Sequence, residues 1–199
     1  MGFLKDIEDM PNQYGHSLAF FERWYRADNA VLVVAGDIVP ENVFELARRH
    51  YGAWRPGVAP LATPVEPDQA SERTAHIPWA APTLPLLAMA FHAPAFDPDD
   101  LEVRALDVLA QAYFAPTSPL HKELVLDRQW VDVLTAGAED KRDPGYFLVL
   151  ARVKEAARMD DVRAAIERTL QLSASTTLTP ERLAAVTSRL RYGFLSGLL

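Results

Sequence analysis

The chain has 199 residues, 49% hydrophobic and 24% charged, which is ordinary for a globular protein and too apolar for a disordered one. Lys and Arg number 20 against 27 Asp and Glu, a net charge of −7, and no basic run offers the phosphate neutralisation that nucleic-acid binding needs. No apolar stretch approaches the roughly 20 residues that cross a bilayer, and with no cysteine in the chain disulfides, thiolate zinc sites and thiol nucleophiles are excluded together.

Residues 13–27 read as a helix, with Leu18, Phe21, Trp24 and Tyr25 at helical spacing and Glu22, Arg23 and Arg26 on the other side. Asp28-Asn29 breaks that pattern with turn chemistry. Ala30-Val-Leu-Val-Val-Ala35 follows, an apolar, β-branched run that predicts a strand covered on both faces. After Gly36-Asp37, Pro40-Glu41 opens a second helix, whose apolar face is Val43, Phe44, Ala47 and Tyr51 and whose stop is Gly52. Pro56, Gly57, Pro60, Pro64 and Pro67 then punctuate a stretch without a period, which reads as an extended linker.

Beyond the linker, Arg73–Pro78 predicts a short strand, and Leu84–His92 a second one with Pro85 near its tolerated start. Asp97, Asp99 and Asp100 lead into a helix to about Phe114, with a stripe of Leu101, Ala105, Leu106, Leu109 and Tyr113. Thr117-Ser-Pro-Leu begins a short helix to about Leu126. Strands over 130–138 and 145–153 are joined by the charged turn Glu139–Gly145, a hairpin signal with a longer loop. Helices over 159–174 and 179–195 close the chain, the second capped by Thr179 before Pro180. This grouping of elements predicts an α+β fold, a mainly antiparallel sheet with helices packed on one face. Three parts are expected: a tail of an upstream domain at 1–55, a linker at 56–72, and a domain at 73–199 that reads as truncated at its C-terminus.

Several of these strings together resemble the pitrilysin/insulinase zinc metallopeptidases. Phe21-Glu-Arg-Trp-Tyr25-Arg-Ala-Asp-Asn29, its apolar run and Gly36-Asp37 resemble that family's aromatic helix ending in Tyr-x-Pro-x-Asn, then strand, then Gly-Asp. Ala27 stands where the family has Pro. Tyr51-Gly52 matches the end of the next helix. Ser118-Pro-Leu-His-Lys122-Glu-Leu-Val125 is similar to Ser-x-Leu-Tyr-Lys-x-Leu, with His121 for Tyr, and Asp143-Pro-Gly145-Tyr-Phe147 to the Gly-x-Phe strand start. The resemblance implies the processing-peptidase fold, repeated α+β domains around a peptide chamber. Catalysis there rests on a His-x-x-Glu-His helix that binds zinc and activates its water.

None of His16, His50, His76, His92 or His121 belongs to such a motif. The resemblance therefore implies a non-catalytic domain, inactive alone, with no catalytic or metal-binding residues of its own and no cofactor. Zinc is expected for the parent protein, which would be a metalloendopeptidase, supplied by a catalytic domain or subunit upstream or in a partner. Peptide substrate is the expected ligand, at residues the sequence does not name, by strand addition at a sheet edge. A structural or assembly subunit without proteolytic activity is the alternative. A periplasmic or secreted parent is favoured over a cytoplasmic one.

The bland reading prevails at each tempting residue. His76, His92 and His121 lie on different elements without ligand spacing. Asp37 has no glycine-rich phosphate loop before it, so it reads as a turn and helix-entry cap. Ser118 lacks a nucleophile elbow and reads as a helix N-cap. Arg191-Tyr192 resembles a substrate-gripping pair in kind but is adjacent on one helix. Phe20, Phe21 and Trp24 read as core.

Overall fold

The computed structural model describes residues 4–57, 67 and 69–197, and the chain divides into two units, Met1–Ala75 and His76–Leu199. Pro60 and Pro64 of the expected linker lie outside the described residues.

In the first unit a short helix α1 (Leu4–Glu8) precedes α2 (Tyr14–Trp24) and α3 (Pro40–Tyr51). Past α2, the Asn29 side-chain amide donates to the Trp24 carbonyl at 2.9 Å, which satisfies one of the carbonyls a helix end leaves unpaired. Pro40 sits in the first turn of α3, where a missing N–H costs nothing. The expected strand at Ala30–Ala35 is not formed. Its backbone enters extended, with Ala30 at φ −124° and ψ 142°, but no neighbouring strand is present among the described residues. Extended, β-branched sequence fixes the conformation of one chain; a strand also needs a partner for its N–H and C=O groups. Phe20 and Phe21, expected in a core, are exposed. Among the described residues of this unit, Arg26 is the single buried one.

The second unit carries the sheet. Strands β1 (Leu86–Ala93), β2 (Val131–Ala138) and β3 (Gly145–Val153) pair antiparallel in the order β1-β3-β2. Between β1 and β2 run α4 (Leu101–Tyr113), the single turn α5 (Pro119–His121) and a π-helical turn at Lys122–Asp127. Helices α6 (Met159–Ser175) and α7 (Pro180–Ser196) follow β3. One sheet face, with Ala93, Leu134, Phe147, Val149, Ala151 and Val153, packs with Ala110 of α4 and Val162, Ala165 and Ile166 of α6 into one core. Phe114 meets Phe147 edge-on at 6.4 Å between ring centroids and closes the core beneath α4. The α+β class and the one-sided helix layer are as the sequence predicts.

Two local expectations fail here. Arg73–Pro78 forms no strand, and Ile77 is exposed, because nothing pairs with so short a run before Pro78. On α4, Leu101 is 82% exposed and the buried positions are Val103, Ala110 and Ala112, with Leu106, Leu109 or Tyr113 at the core margin. The predicted stripe, which also ran through the exposed Ala105, is thus rotated from the buried face at Val103, Ala110 and Ala112.

Candidate functional site

The sheet has two edges, and their chemistry differs. The Val153 N–H donates to the Pro85 carbonyl at 2.8 Å, just before β1 begins. In an antiparallel ladder such pairs alternate, and the register Leu87↔Ala151, Met89↔Val149 and Phe91↔Phe147 continues the series. The N–H and C=O groups of Leu86, Ala88, Ala90 and His92 therefore point away from β3, toward the open edge. The side chains of these four residues are exposed, on the sheet face opposite the core. With Ala at two of the four positions, little side-chain bulk stands beside the main-chain groups.

Strand β2 is the poorer edge. Its register shifts between Val131 and Val133, a bulge, and such irregularities twist an edge away from further pairing. Asp132 in the bulge accepts from Arg152 Nε at 2.8 Å and Nη2 at 2.9 Å. At the strand's start the Trp130 N–H is already donated to Leu124 O at 2.9 Å. Arg128 and Arg158 lie over the Trp130 ring at 4.4 Å and 4.8 Å from its centroid, adding bulk at that end.

The residues weighed from sequence do not converge on a reaction centre. His76 and His92 are exposed, and the half-buried His121 has its Nδ1 without a hydrogen-bond partner. Among the described residues no three His, Asp or Glu side chains are placed to hold a metal ion, so these residues do not fit zinc. Ser118 is buried and its Oγ accepts from the His121 N–H at 3.1 Å, capping α5. Asp37 does not cap α3: the N-cap position is Val39, without a side-chain bond, because Gly36 at φ +141° turns the chain and leaves Asp37 two residues short of the cap. Arg191 and Tyr192 lie on the outer face of α7, along a shallow trough with Leu183, Thr187, Ser188 and Leu195.

Sequence reasoning missed two arrangements. The first is the identity of the open edge, for which Pro85 beside the small residues Ala88 and Ala90 was the signal. The second is Arg26, whose Nε donates to Asp28 Oδ1 at 2.8 Å while Nη2 pairs with Oδ2. The Gly57 N–H also donates to Asp28 Oδ1, at 3.1 Å. A Cβ at Gly57 would overlap the Arg26 guanidinium, so a larger residue there would have to displace the end of that side chain. Arg-x-Asp across a turn was its only trace in the sequence.

A model of the peptidase M16 inactive domain matches residues 13–190. A zinc protease PqqE of Helicobacter pylori is 27% identical over 176 residues, which is 84% of this chain and 39% of that protein. The crystal structure of a protease from Helicobacter pylori superposes with a TM-score of 0.83 at 25% identity, covering 99% of this chain and 48% of the other. The chain thus spans less than half the length of each of these relatives.

Proposed function

The chain belongs to the M16 peptidase family and carries its inactive domain, and we propose that it binds peptide for a zinc peptidase without cleaving it. In this reading the domain forms part of the wall of a substrate chamber, and zinc comes from a catalytic domain or partner subunit. The observation that carries it is the open edge of β1. Four residues there, Leu86, Ala88, Ala90 and His92, offer main-chain donors and acceptors toward solvent, beside small side chains. An extended peptide added to such an edge gains hydrogen bonds that do not depend on its sequence. That suits a chamber that receives varied substrates. The exposed apolar side chains next to the edge give alternate residues of the peptide something to rest on.

The test is hydrogen exchange on the chain with and without an unfolded peptide such as reduced, carboxymethylated lactalbumin. Amides of Leu86, Ala88, Ala90 and His92 should become protected, and the peptide should be recovered intact. Chelator-sensitive cleavage by a clean preparation would overturn the non-catalytic role. Unchanged exchange along β1 would overturn the edge as the binding element.

A further inference from the structure

Natural proteins guard an open sheet edge with charge, proline, a bulge or a covering element, and this sheet guards one of its two edges. Strand β2 carries its bulge and Asp132. By contrast, Leu86-Leu-Ala-Met-Ala-Phe-His-Ala93 holds no Lys, Arg, Asp or Glu, and among the described residues no strand lies beyond it. Its helix-side face is also incompletely covered. Leu87 and Met89 are half-buried and Phe91 is 42% exposed, while Phe147, Val149, Ala151 and Val153 of β3 are buried. An apolar strip therefore runs along the edge, beside the outward-pointing main-chain groups of Leu86, Ala88, Ala90 and His92.

The edge is complementary to itself. Two antiparallel copies of β1 related by a twofold axis at Met89 set Leu86 opposite His92 and Ala88 opposite Ala90. All four outward-pointing residues then fall in hydrogen-bonded pairs, each exchanging two bonds. Alanine faces alanine, so nothing crowds the middle of that face. On the helix side Met89 meets the Met89 of the second copy and Leu87 meets Phe91, so the apolar strip covers itself. Moving the axis to Ala90 sets Leu86 against Pro94, which has no N–H to give. Moving it to Ala88 carries His92 past the start of the strand, to Leu84.

We propose that a second copy of this chain occupies the open edge of β1, giving a continuous six-stranded sheet in the order β2-β3-β1-β1-β3-β2. Such an interface is isologous and closes on itself, so pairing stops at two copies. Each copy carries a net charge of −7, but the paired strands bring no charges of their own together. The pairing stands independently of the proposed function and shares its strand, so peptide and second copy exclude each other at β1.

Because the chain lacks cysteine, single cysteines read the register. Residues opposite each other on the helix side form non-hydrogen-bonded pairs with Cα atoms about 4.5 Å apart, within disulfide reach. With diamide as oxidant, Met89→Cys should crosslink into a covalent dimer. Leu87→Cys and Phe91→Cys should each remain uncrosslinked alone and crosslink when mixed. The unsubstituted chain should show a concentration-dependent dimer in sedimentation equilibrium. Exchange at Leu86, Ala88, Ala90 and His92 should slow on the order of 10-fold or more as that dimer fills. Ala90→Lys, which installs the missing guard, should return the chain to monomer. Exchange along β2 and β3 checks that each variant is folded. A monomer at every concentration would overturn the inference, as would crosslinking that ignores position or assemblies larger than two. Carboxymethylated lactalbumin separates the two readings of β1. Peptide protection on a chain that is monomeric throughout overturns the second copy and leaves the proposed function. A dimer that the peptide does not open does the reverse.

Discussion

At Asp28 three donors converge, two from Arg26 and one from the Gly57 amide. The Arg26 hydrogen bonds first, and the Gly57 amide second, hold its carboxyl well below the usual carboxylate range. A depressed carboxylate stabilises the folded arrangement above its unfolded pKa, near 3.8, and that contribution is lost as pH falls through the folded value. The Gly57 amide should therefore stay protected from neutral pH down through pH 4 and be released only in stronger acid. Asp28→Asn should release it at neutral pH; hydrogen exchange at Gly57 reads both. Asp107 on α4 has the opposite sign. Burial first, and the nearby Asp140 charge second, push its carboxyl up. Ionising it costs the folded state, a penalty that accumulates as pH rises from the unfolded value toward the folded one. Asp107→Asn should raise the urea midpoint at pH 7 and lose its advantage near pH 3. Neither group is conspicuous in the sequence. The caps were: Thr179 accepts from the Arg182 N–H at 3.2 Å, and Ser118 caps α5, because capping depends on a local spacing that any reader of the chain can see.

Among the elements, what was legible follows from what is local. The hairpin β2–β3, the strand β1 and helices α6 and α7 lie where periodicity and turn residues place them. The two lost strands, Ala30–Ala35 and Arg73–Pro78, had strand-like composition, but pairing is a property of two segments and cannot be read from one. The edge itself was hidden for the same reason, since Pro85, Ala88 and Ala90 only hint at it and the order β1-β3-β2 fixes it. Strand geometry makes a sharp test of the site. Ala90 directs its N–H to the open edge, whereas the Met89 N–H lies in the ladder with Val149. Ala90→Pro should remove a binding donor and leave the sheet folded, so peptide protection at β1 falls while the melting transition moves little. Met89→Pro removes a ladder bond and leaves the Val149 carbonyl opposite it unpaired, which should cost about 1–3 kcal/mol. Equal destabilisation by the two would mean the register argument for the edge is wrong. In the layer beneath, Ile166 is fully buried among β3 and α6 residues. Ile166→Ala should cost about 2–5 kcal/mol in urea unfolding, since the packed sheet and helix cannot collapse around the gap.

For the whole molecule, the family and the lack of a ligand set point to one solution property, the response to zinc. The chain is an M16 inactive domain, and among the described residues no three His, Asp or Glu side chains gather into a metal site. A native-state site at 100 times its Kd would stabilise by about 2.7 kcal/mol. In a chain of this size that is roughly 5–10 °C in melting temperature, at about 2–4 °C per kcal/mol. Titrating zinc into the protein, and then removing it with a chelator, should instead move the melting transition of the second unit by about 1 °C or less. The separation is wide enough for scanning calorimetry to decide. A reversible shift of the larger size would place a metal site on this chain, and zinc would no longer need to come from a separate catalytic domain. No shift, together with intact peptide bound at β1, is what a domain that holds substrate for chemistry performed elsewhere should show.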